Sequence, residues 1–257
     1  MDAMGELERS LATPDRKRQY NRRLFATIAD RYDLITRLLS FGRDQAWKRQ
    51  VIALARVGSG DCALDLACGT GDLAFAAEAS GATATGLDLT PRMIALARRK
   101  AVSLESRAHW LVGDMCALPL PNARFTVVTT GYGLRNVPDL PAALREIRRV
   151  LVPGGRLCAL DFDRPDAAWL RGIYLAYLSV VGGALGWVLH RDPDTYRYIP
   201  ASIRRYPGAR GVKTMMEDAG FEEVRHVRVL GGLMAIHVAT SGSSVAPAGE
   251  TPARHRR

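Results

Sequence analysis

The N-terminal part of the chain carries apolar residues at steps of three and four, the spacing of one face of an α-helix. These residues are Phe25, Ile28, Tyr32, Ile35 and Leu39. Thr13 followed by Pro14 predicts a helix cap and a first helical turn upstream of this stripe. The triplet 40–42, Ser-Phe-Gly, ends the stripe, and a second helix is predicted from Trp47 to Ala55.

From residue 62 to residue 162, short apolar runs alternate with helical patterns. Strands are predicted at 62–67, 82–87, 109–112, 125–130 and 156–162, and helices at 71–80, 91–103 and 141–151. This alternation with short loops predicts an α/β fold with a parallel, doubly wound sheet and right-handed crossovers. A helix at 209–219 then precedes two strands, 221–229 and 233–240, which form a hairpin around Gly231-Gly232.

The run 170–189, LRGIYLAYLSVVGGALGWVL, is apolar and about long enough to cross a bilayer. Its glycines, its tyrosines and an interior arginine argue against a span, and a lone span would split one sheet across a membrane. We therefore expect a helical cap with an apolar face. From Ser241 onward the chain is rich in Ser, Pro, Gly and Arg, which predicts a disordered tail at 241–257.

The chain has 257 residues and a net charge of +10, a balance that favours anionic lipid or nucleic acid as a partner. Nucleic acid is not expected, because basic and aromatic residues do not interleave as in RNA-recognition segments, although charge alone leaves an RNA-binding alternative open. The four cysteines lack zinc-type spacing, so we expect free thiols and no metal site. No apolar run follows the N-terminal methionine, which predicts a cytoplasmic protein without a signal peptide.

The segment 63–72, ALDLACGTGD, reads as a strand, a glycine loop and the start of a helix. Its glycines fit a dinucleotide-binding G-x-G-x-x-A pattern, and Asp88 ends the next strand where a ribose-binding acid belongs. Asp65, however, lies four residues before the glycines, where a carboxylate would repel a pyrophosphate. A carboxylate there suits a cationic group, such as the amino group of S-adenosylmethionine.

Two further blocks follow in order. Residues 113–119, GDMCALP, place Asp114 after the third strand, where it can meet an adenine amino group, and residues 150–156, VLVPGGR, form a tight glycine turn into a strand. Together the three blocks resemble the class I S-adenosylmethionine methyltransferases. The resemblance implies a Rossmann-like, mostly parallel seven-stranded sheet with a C-terminal antiparallel hairpin and a helical cap. The cofactor-binding residues it implies are Tyr32, Asp65, Gly69, Thr70, Gly71, Asp88, Leu89, Asp114, Met115 and Gly131.

Other stretches resemble a narrower family, the C-methyltransferases of menaquinone and ubiquinone biosynthesis. These stretches are 25–33, 40–42, 47–49, 133–137, 194–199, 202–203, 231–232 and 235–237. The family pattern has other residues at several places: here stand Ile35-Thr36, Asp44, Gly131, Val152, Asp161 and Asp163. The resemblance implies C-methylation of a lipophilic quinol, demethylmenaquinol or the ubiquinol precursor. The departures leave open a C- or O-methyltransferase of specialised small-molecule metabolism.

For this reaction the resemblance implies that Arg135 is catalytic, because its fixed charge favours a phenolate or polarises a water, with Asn136 orienting it. The alternative for Arg135 is an ion pair with Asp139. Tyr196 and Tyr198 are expected to line the ring pocket, and His237 is a weaker candidate base.

The expected division of the chain is a basic N-terminal extension at 1–23, a methyltransferase domain at 24–240 and the tail at 241–257. Segments 24–57 and 164–205 are expected to form a helical lid. The substrate is expected to be a polyprenyl quinol or another lipophilic aromatic compound, which favours peripheral association with the inner face of the cell membrane. A homodimer and an inactive binding partner remain alternatives.

Overall fold

A computed structural model describes residues 3–165, 167–192 and 195–242. Most of the predicted tail, residues 243–257, lies outside the described residues, as does Asp194 of the stretch 194–199.

Seven strands form one sheet in the order β3-β2-β1-β4-β5-β7-β6. The strands are β1 Cys62–Leu66, β2 Thr83–Asp88, β3 His109–Val112, β4 Phe125–Gly131, β5 Leu151–Phe162, β6 Phe221–Val229 and β7 Met234–Ser241. Strands β1 to β5 pair in parallel, whereas β7 lies antiparallel between β5 and β6. The predicted mostly parallel sheet with a closing antiparallel hairpin is confirmed.

Ten α-helices accompany the sheet in the described part of the chain. They are α1 Ala3–Ser10, α2 Pro14–Ile28, α3 Tyr32–Leu39, α4 Asp44–Leu54, α5 Asp72–Ala79, α6 Pro91–Ser103, α7 Leu140–Val150, α8 Ala168–His190, α9 Tyr198–Arg205 and α10 Gly208–Asp218. Two apolar clusters cover the two faces of the sheet, one around Trp47 and Leu178 and the other around Leu144 and Val212. Burial on both faces explains why the parallel strands are continuous apolar runs.

The strand order reverses at β1, whose neighbours are β2 and β4. In open α/β sheets such a reversal leaves a crevice beyond the carboxyl ends of the strands, where ligands bind. The candidate site lies at this crevice, beneath helices α2, α3 and α8.

The prediction of one uninterrupted helical stripe over residues 25–39 is wrong in one respect. A 3-10 turn, Ala29–Arg31, separates α2 from α3. Ion pairs hold this junction to α6: Asp30 pairs with Arg92, and Asp33 with Lys100 at 3.0 Å. Residues far apart in the chain thus meet at this break, which the local periodicity does not reveal.

The strand predicted at 156–162 is longer than expected, because β5 begins at Leu151 and includes the glycine turn. The pairing of β4 with β5 shifts register between Phe125 and Val127, so the turn forms an irregularity within the strand. Gly155 is required there, since a Cβ would lie 2.8 Å from the carbonyl oxygen of Val152.

Helix α8 has 23 residues and is, by length and composition, apolar enough to cross a bilayer. Four of its residues, spaced four apart, are buried against the domain: Tyr174, Leu178, Gly182 and Gly186. A Cβ on Gly182 would lie 3.1 Å from the Cβ of Tyr196, so the helix packs closely on the segment that follows it. Helix α8 thus forms the predicted helical cap.

The expected division at residue 23 falls inside α2, which runs without a break from Pro14 to Ile28. Thr13 caps this helix as predicted, because its hydroxyl accepts a hydrogen bond from the backbone N–H of Arg16.

Candidate active site

The glycine loop between β1 and α5 takes a left-handed backbone at three positions. Ala67, Gly69 and Gly71 have φ angles of 50°, 55° and 94°. A Cβ on Gly71 would lie 2.4 Å from the ring of Trp110, so this glycine lets the loop pack on β3. Gly71 does not line the cleft, whereas Gly69 does. The two predicted glycines therefore have different roles.

A cleft of about 680 Å³, part of it open to solvent, lies at the carboxyl ends of β1, β2 and β4. Apolar atoms form most of its wall, but the charged side chains of Arg18, Asp88 and Asp114 line it, and we call it the polar cleft for that reason. Seven of the ten predicted cofactor residues line it: Tyr32, Gly69, Asp88, Leu89, Asp114, Met115 and Gly131. Asp65 and Thr70 line a smaller adjoining cavity, which shares Tyr32, Gly69 and Gly131 with the cleft. The structure thus brings nine of the ten residues to two neighbouring spaces that share part of their walls.

Asp88 is buried at the end of β2 and is held by two backbone amides. The N–H of Gly69 donates to Oδ2 at 2.9 Å, and the N–H of Thr90 donates to Oδ1 at 2.8 Å. Burial raises the pKa of Asp88, although these amide donors oppose the shift. The carboxylate is fixed in orientation and keeps lone pairs for further donors.

Asp65 is 3 % exposed, and its partner on β4, Thr129, donates a hydroxyl hydrogen bond to it at 3.0 Å. Burial raises the pKa of Asp65 to about 7. A carboxyl group in this condition is poised to ionise when a cation binds beside it. The residue therefore fits the predicted contact with an ammonium group.

An ion network connects the lid helices to the glycine loop and was not predicted. Lys48 lies 2.7 Å from Asp44 and 2.9 Å from Asp72. Lys100 lies 2.8 Å from Asp72 and 3.0 Å from Asp33. Burial alone would raise the pKa of Asp72, but Lys48 and Lys100 hold it well below its usual range.

Thr70 belongs to the same network, because its hydroxyl donates to Asp33 at 2.6 Å. The hydroxyl group of Thr70 thus already donates its hydrogen bond to a residue of the lid, Asp33. Lys48 lies in the stretch 47–49 that resembles the family, but nothing in the sequence linked it to Lys100, which is far away along the chain.

Asp114 was predicted to meet an adenine amino group. In the structure its Oδ2 accepts a hydrogen bond from Arg18 Nε at 2.6 Å, and its Oδ1 accepts one from the backbone N–H of Cys116 at 2.8 Å. Arg18, on α2, also lines the cleft. The N-terminal helix is therefore part of the site.

An apolar cavity of about 690 Å³ adjoins the polar cleft. Its walls come from helices α2, α3, α4, α8 and α9 and from strands β5 and β7, and they include Leu24, Ile28, Ile35, Leu39, Trp47, Phe162, Tyr174, Ile199 and Met234. Three predicted residues meet here: Arg135, Tyr196 and Tyr198. Asn136 lines the polar cleft instead.

Arg135 is 8 % exposed and is held by four groups. Its Nε lies 3.3 Å from Asp161, its Nη1 donates to Asn136 at 3.0 Å and to Ser202 at 2.9 Å, and its guanidinium carbon lies 4.7 Å from the centre of the Phe162 ring. Within the described ranges no residue accepts a hydrogen bond from its Nη2.

The alternative ion pair of Arg135 with Asp139 is wrong. Asp139 caps α7 by accepting from the N–H of Ala142 at 2.9 Å, whereas the partner of Arg135 is Asp161. Burial raises the pKa of Asp161, and Arg135 opposes that shift.

Asn136 orients Arg135, as the sequence predicts, and is itself fixed. Its Oδ1 also accepts from the hydroxyl of Tyr198 at 3.0 Å, and its Nδ2 donates to the carbonyl oxygen of Tyr132 at 2.7 Å. Burial raises the pKa of Tyr198 to about 12, so this phenol stays a neutral donor. The hydroxyl of Tyr196 pairs with His190 Nε2 at 2.9 Å.

His237 does not lie at the apolar cavity, which corrects its prediction as a substrate residue and base. Successive side chains of a strand point to opposite faces, and Met234, three residues earlier on β7, faces the cavity. His237 is 1 % exposed on the other face, where Nε2 pairs with the carbonyl oxygen of Ala209 at 2.9 Å. Burial lowers its pKa, so it is a neutral core residue.

Two tyrosines, Tyr32 and Tyr132, line both the polar cleft and the apolar cavity. The hydroxyl of Tyr132 donates to Asp44 at 2.8 Å, which fixes the ring at this boundary. Tyr132 has a φ of 61°, an uncommon conformation for a residue with a side chain. It directly precedes the GLRN stretch but was not singled out from the sequence.

Among residues 3–165, 167–192 and 195–242, no three His, Cys, Asp or Glu side chains are grouped to hold a metal ion.

Comparison with known proteins agrees with this geometry. The ubiE/COQ5 methyltransferase family model matches residues 14–241. The chain is 42 % identical to a demethylmenaquinone methyltransferase of Thermus thermophilus, over 84 % of this chain and 98 % of that protein. It is 38 % identical to the ubiquinone/menaquinone biosynthesis C-methyltransferase UbiE of Rubrivivax gelatinosus, over 91 % of each.

Among solved structures, an S-adenosylmethionine-dependent methyltransferase of Aquifex aeolicus superposes with a TM-score of 0.60 at 17 % identity. The superposition covers 84 % of this chain and 97 % of that one, which shows the common fold. Because the family model and the two relatives cover most of the sequence, the chain belongs to the ubiE/COQ5 methyltransferase family.

Proposed function

We propose that this S-adenosylmethionine-dependent methyltransferase methylates a ring carbon of a lipophilic quinol, either demethylmenaquinol or the ubiquinol precursor. The names of the Thermus and Rubrivivax relatives support these acceptors. The observation that carries the proposal is the pair of adjoining cavities, one polar and one apolar, which share Tyr32 and Tyr132 as walls. A water-soluble cofactor in one cavity and a lipophilic acceptor in the other can meet at the boundary formed by these two tyrosines.

The residues of the polar cleft fit the cofactor. Asp65, whose pKa is raised to about 7, suits its ammonium group, and Asp88 suits the two ribose hydroxyls. A Cβ on Gly133 would lie 2.3 Å from Thr130 Oγ1, so the backbone wall of the cleft is closely packed. When bound, S-adenosylmethionine supplies an electrophilic methyl group on a positively charged sulfur.

The residues of the apolar cavity prepare the acceptor. A ring carbon becomes a strong nucleophile when the neighbouring hydroxyl ionises, and Arg135 favours that oxyanion because its charge acts in apolar surroundings. Asn136 and Ser202 hold the guanidinium in place. Asp161 balances its charge in the free protein, and the unengaged Nη2 is left to donate to the acceptor oxygen.

The base is proposed to be water rather than a side chain. None of the described residues that line the apolar cavity is a histidine, an aspartate or a glutamate. Burial raises the pKa of both Tyr196 and Tyr198 to about 12, so neither phenol readily loses its own proton to become a basic phenolate. Because Arg135 stabilises the oxyanion, water can take the hydroxyl proton and pass it to solvent, and water can likewise take the ring proton that leaves when the methyl group is added.

The experiment combines the purified protein, S-adenosylmethionine and reduced demethylmenaquinone, with product analysis by mass spectrometry. We expect a product that is one methyl group heavier, and we expect a strain that lacks the gene to accumulate a quinone that is one methyl group lighter. An unmethylated acceptor together with an unchanged quinone pool would overturn the proposal.

We further propose that the lid, residues 24–57 and 164–205, rests on an anionic bilayer at the inner face of the cell membrane. The exposed face of α8 carries no charged side chain and includes Trp169, Ile173, Val180, Trp187 and Val188. Leu34, Leu38 and Phe41 extend this apolar surface onto α3, and Phe41 stacks on Tyr177 with ring centres 5.1 Å apart. Apolar surface of this extent suits a helix lying in the membrane interface.

Flotation with vesicles containing anionic lipid tests this arrangement. We expect Ile173→Glu and Val180→Glu to reduce binding, whereas Val102→Glu, at an exposed site on α6, leaves it unchanged. A stable homodimer that buries α8, or equal flotation of all variants, would contradict the proposal.

A further inference from the structure

Helix α2 covers the polar cleft, although most of it lies in the segment expected to be a basic extension. Three of its side chains line the cleft: Arg18, Asn21 and Phe25. A ligand-binding role for this helix depends on the proposed binding of S-adenosylmethionine in that cleft.

The helix is fixed to the loop after β4 by specific hydrogen bonds. Lys17 Nζ donates to the carbonyl oxygens of Arg135 at 3.1 Å and Val137 at 2.6 Å. Asn21 Nδ2 donates to the carbonyl oxygen of Asn136. Together with the ion pair between Arg18 and Asp114, these contacts fix the position of α2, so that one face of the helix covers the cleft.

Asn21 has an unused acceptor in this position. The residue is 4 % exposed, and its Oδ1 receives no hydrogen bond within the described part of the chain. Because Nδ2 must face the carbonyl oxygen of Asn136, the amide cannot turn over to exchange the two atoms. Buried polar atoms are almost always paired, so an unpaired acceptor on a residue that lines a binding cleft points to a donor that the free protein lacks.

We infer that Asn21 is a cofactor-binding residue whose Oδ1 accepts a hydrogen bond from the adenosine half of S-adenosylmethionine. That half carries its donors on the adenine amino group and on the two ribose hydroxyls. Asp88 is available for the hydroxyls, and each oxygen of Asp114 already accepts one hydrogen bond, from Arg18 or from Cys116, but keeps a lone pair as the oxygens of Asp88 do. Asn21 supplies an additional acceptor, contributed by the helix that closes the cleft.

Calorimetric binding of S-adenosylhomocysteine to the full chain tests the inference without requiring catalysis. Asn21→Leu removes the acceptor at similar size, and Gln19→Leu makes the same chemical change at an exposed position of the same helix. We expect the first variant to bind about five- to tenfold more weakly, as for one lost hydrogen bond, and the second to bind like the parent protein.

A loosened helix would also weaken binding, and ligand analogues separate the two causes. One analogue replaces the adenine amino group by a carbonyl, and two others lack one ribose hydroxyl each. If Asn21 accepts from one of these donors, the effect of Asn21→Leu disappears with the analogue that lacks that donor and persists with the other two.

Each outcome decides a different question. Absence of binding to the parent protein would overturn the proposed function. Binding by the parent with no effect of Asn21→Leu, or with equal weakening for every analogue, would overturn the role of Asn21 alone.

Discussion

Replacement of Arg135 by methionine separates the contribution of this residue to folding from its contribution to chemistry. The guanidinium is the only cation within 4 Å of the Asp161 carboxylate in the described structure, and the Asp161 side chain is 1 % exposed. In Arg135→Met that carboxylate keeps only backbone donors, the N–H groups of residues 134, 135 and 162, of which the last two lie at 3.0 and 2.8 Å. Removing one partner of a buried ion pair costs about 3–5 kcal/mol of unfolding free energy.

The double variant Arg135→Met/Asp161→Asn removes the unpaired charge while keeping an acceptor for the backbone. We expect it to recover most of the lost stability in urea unfolding. We expect no recovery of turnover, which should stay about 10²–10³-fold below the parent, the usual effect of losing one oxyanion donor. Affinity for S-adenosylhomocysteine should change little, because Arg135 lines the other cavity.

The pH dependence of Arg135→Met gives an independent check. Burial raises the pKa of Asp161, so its folded-state pKa lies above the unfolded value. A group of this kind favours folding at low pH and loses that contribution as the pH rises through its folded pKa. The single variant should therefore gain stability on acidification relative to the double variant. A double variant that regains turnover together with stability would show that Arg135 acts only as a structural partner of Asp161.

Three other variants test separate parts of the site. Binding of S-adenosylhomocysteine should weaken about tenfold from pH 8 to pH 6, because the pKa of Asp65 is about 7 and an ammonium group needs the ionised carboxylate. The Asp65→Asn variant should bind weakly at both pH values, and an affinity of this variant that still changes with pH would contradict the prediction. Gly71→Ala should lower the free energy of unfolding, measured by thermal denaturation, by about 1–3 kcal/mol more than Gly154→Ala does. Both glycines have a positive φ, but only a Cβ at position 71 would meet the ring of Trp110. Equal destabilisation by the two variants would refute the packing role of Gly71. Tyr198→Phe, which removes the hydrogen bond to Asn136, should lower kcat severalfold and leave cofactor affinity unchanged; unchanged kcat would exclude a positioning role.

The sheet could be predicted because the pattern of apolar and polar residues within each short segment is sufficient to identify its strands and helices. Each parallel strand is a short apolar run followed by a helical pattern, and three elements, 91–103, 109–112 and 221–229, have the predicted bounds. The glycine loop and the acids at the carboxyl ends of β1, β2 and β3 were found for the same reason, since these ends lie at one edge of the sheet.

The remainder of the site depends on contacts between distant segments. The ion pair of Arg135 joins residues 26 positions apart, whereas the sequence suggested Asp139 because it is near in the chain. His237 was misplaced because the face of a strand that meets a cavity depends on how helices cover the sheet. Asn21 and Tyr132 carried no motif of their own and acquire their positions only when α2 and α4 pack on the sheet.

The central claim is that a polar cofactor cleft and an apolar acceptor cavity meet at Tyr32 and Tyr132. The most direct measurement incubates the protein with S-adenosylmethionine carrying a labelled methyl group and reduced demethylmenaquinone, and locates the label in the product by NMR. Label on a ring carbon is the predicted result. Label on an oxygen would contradict the account, and so would the absence of transfer both to reduced demethylmenaquinone and to the ubiquinol precursor by a protein that binds S-adenosylhomocysteine.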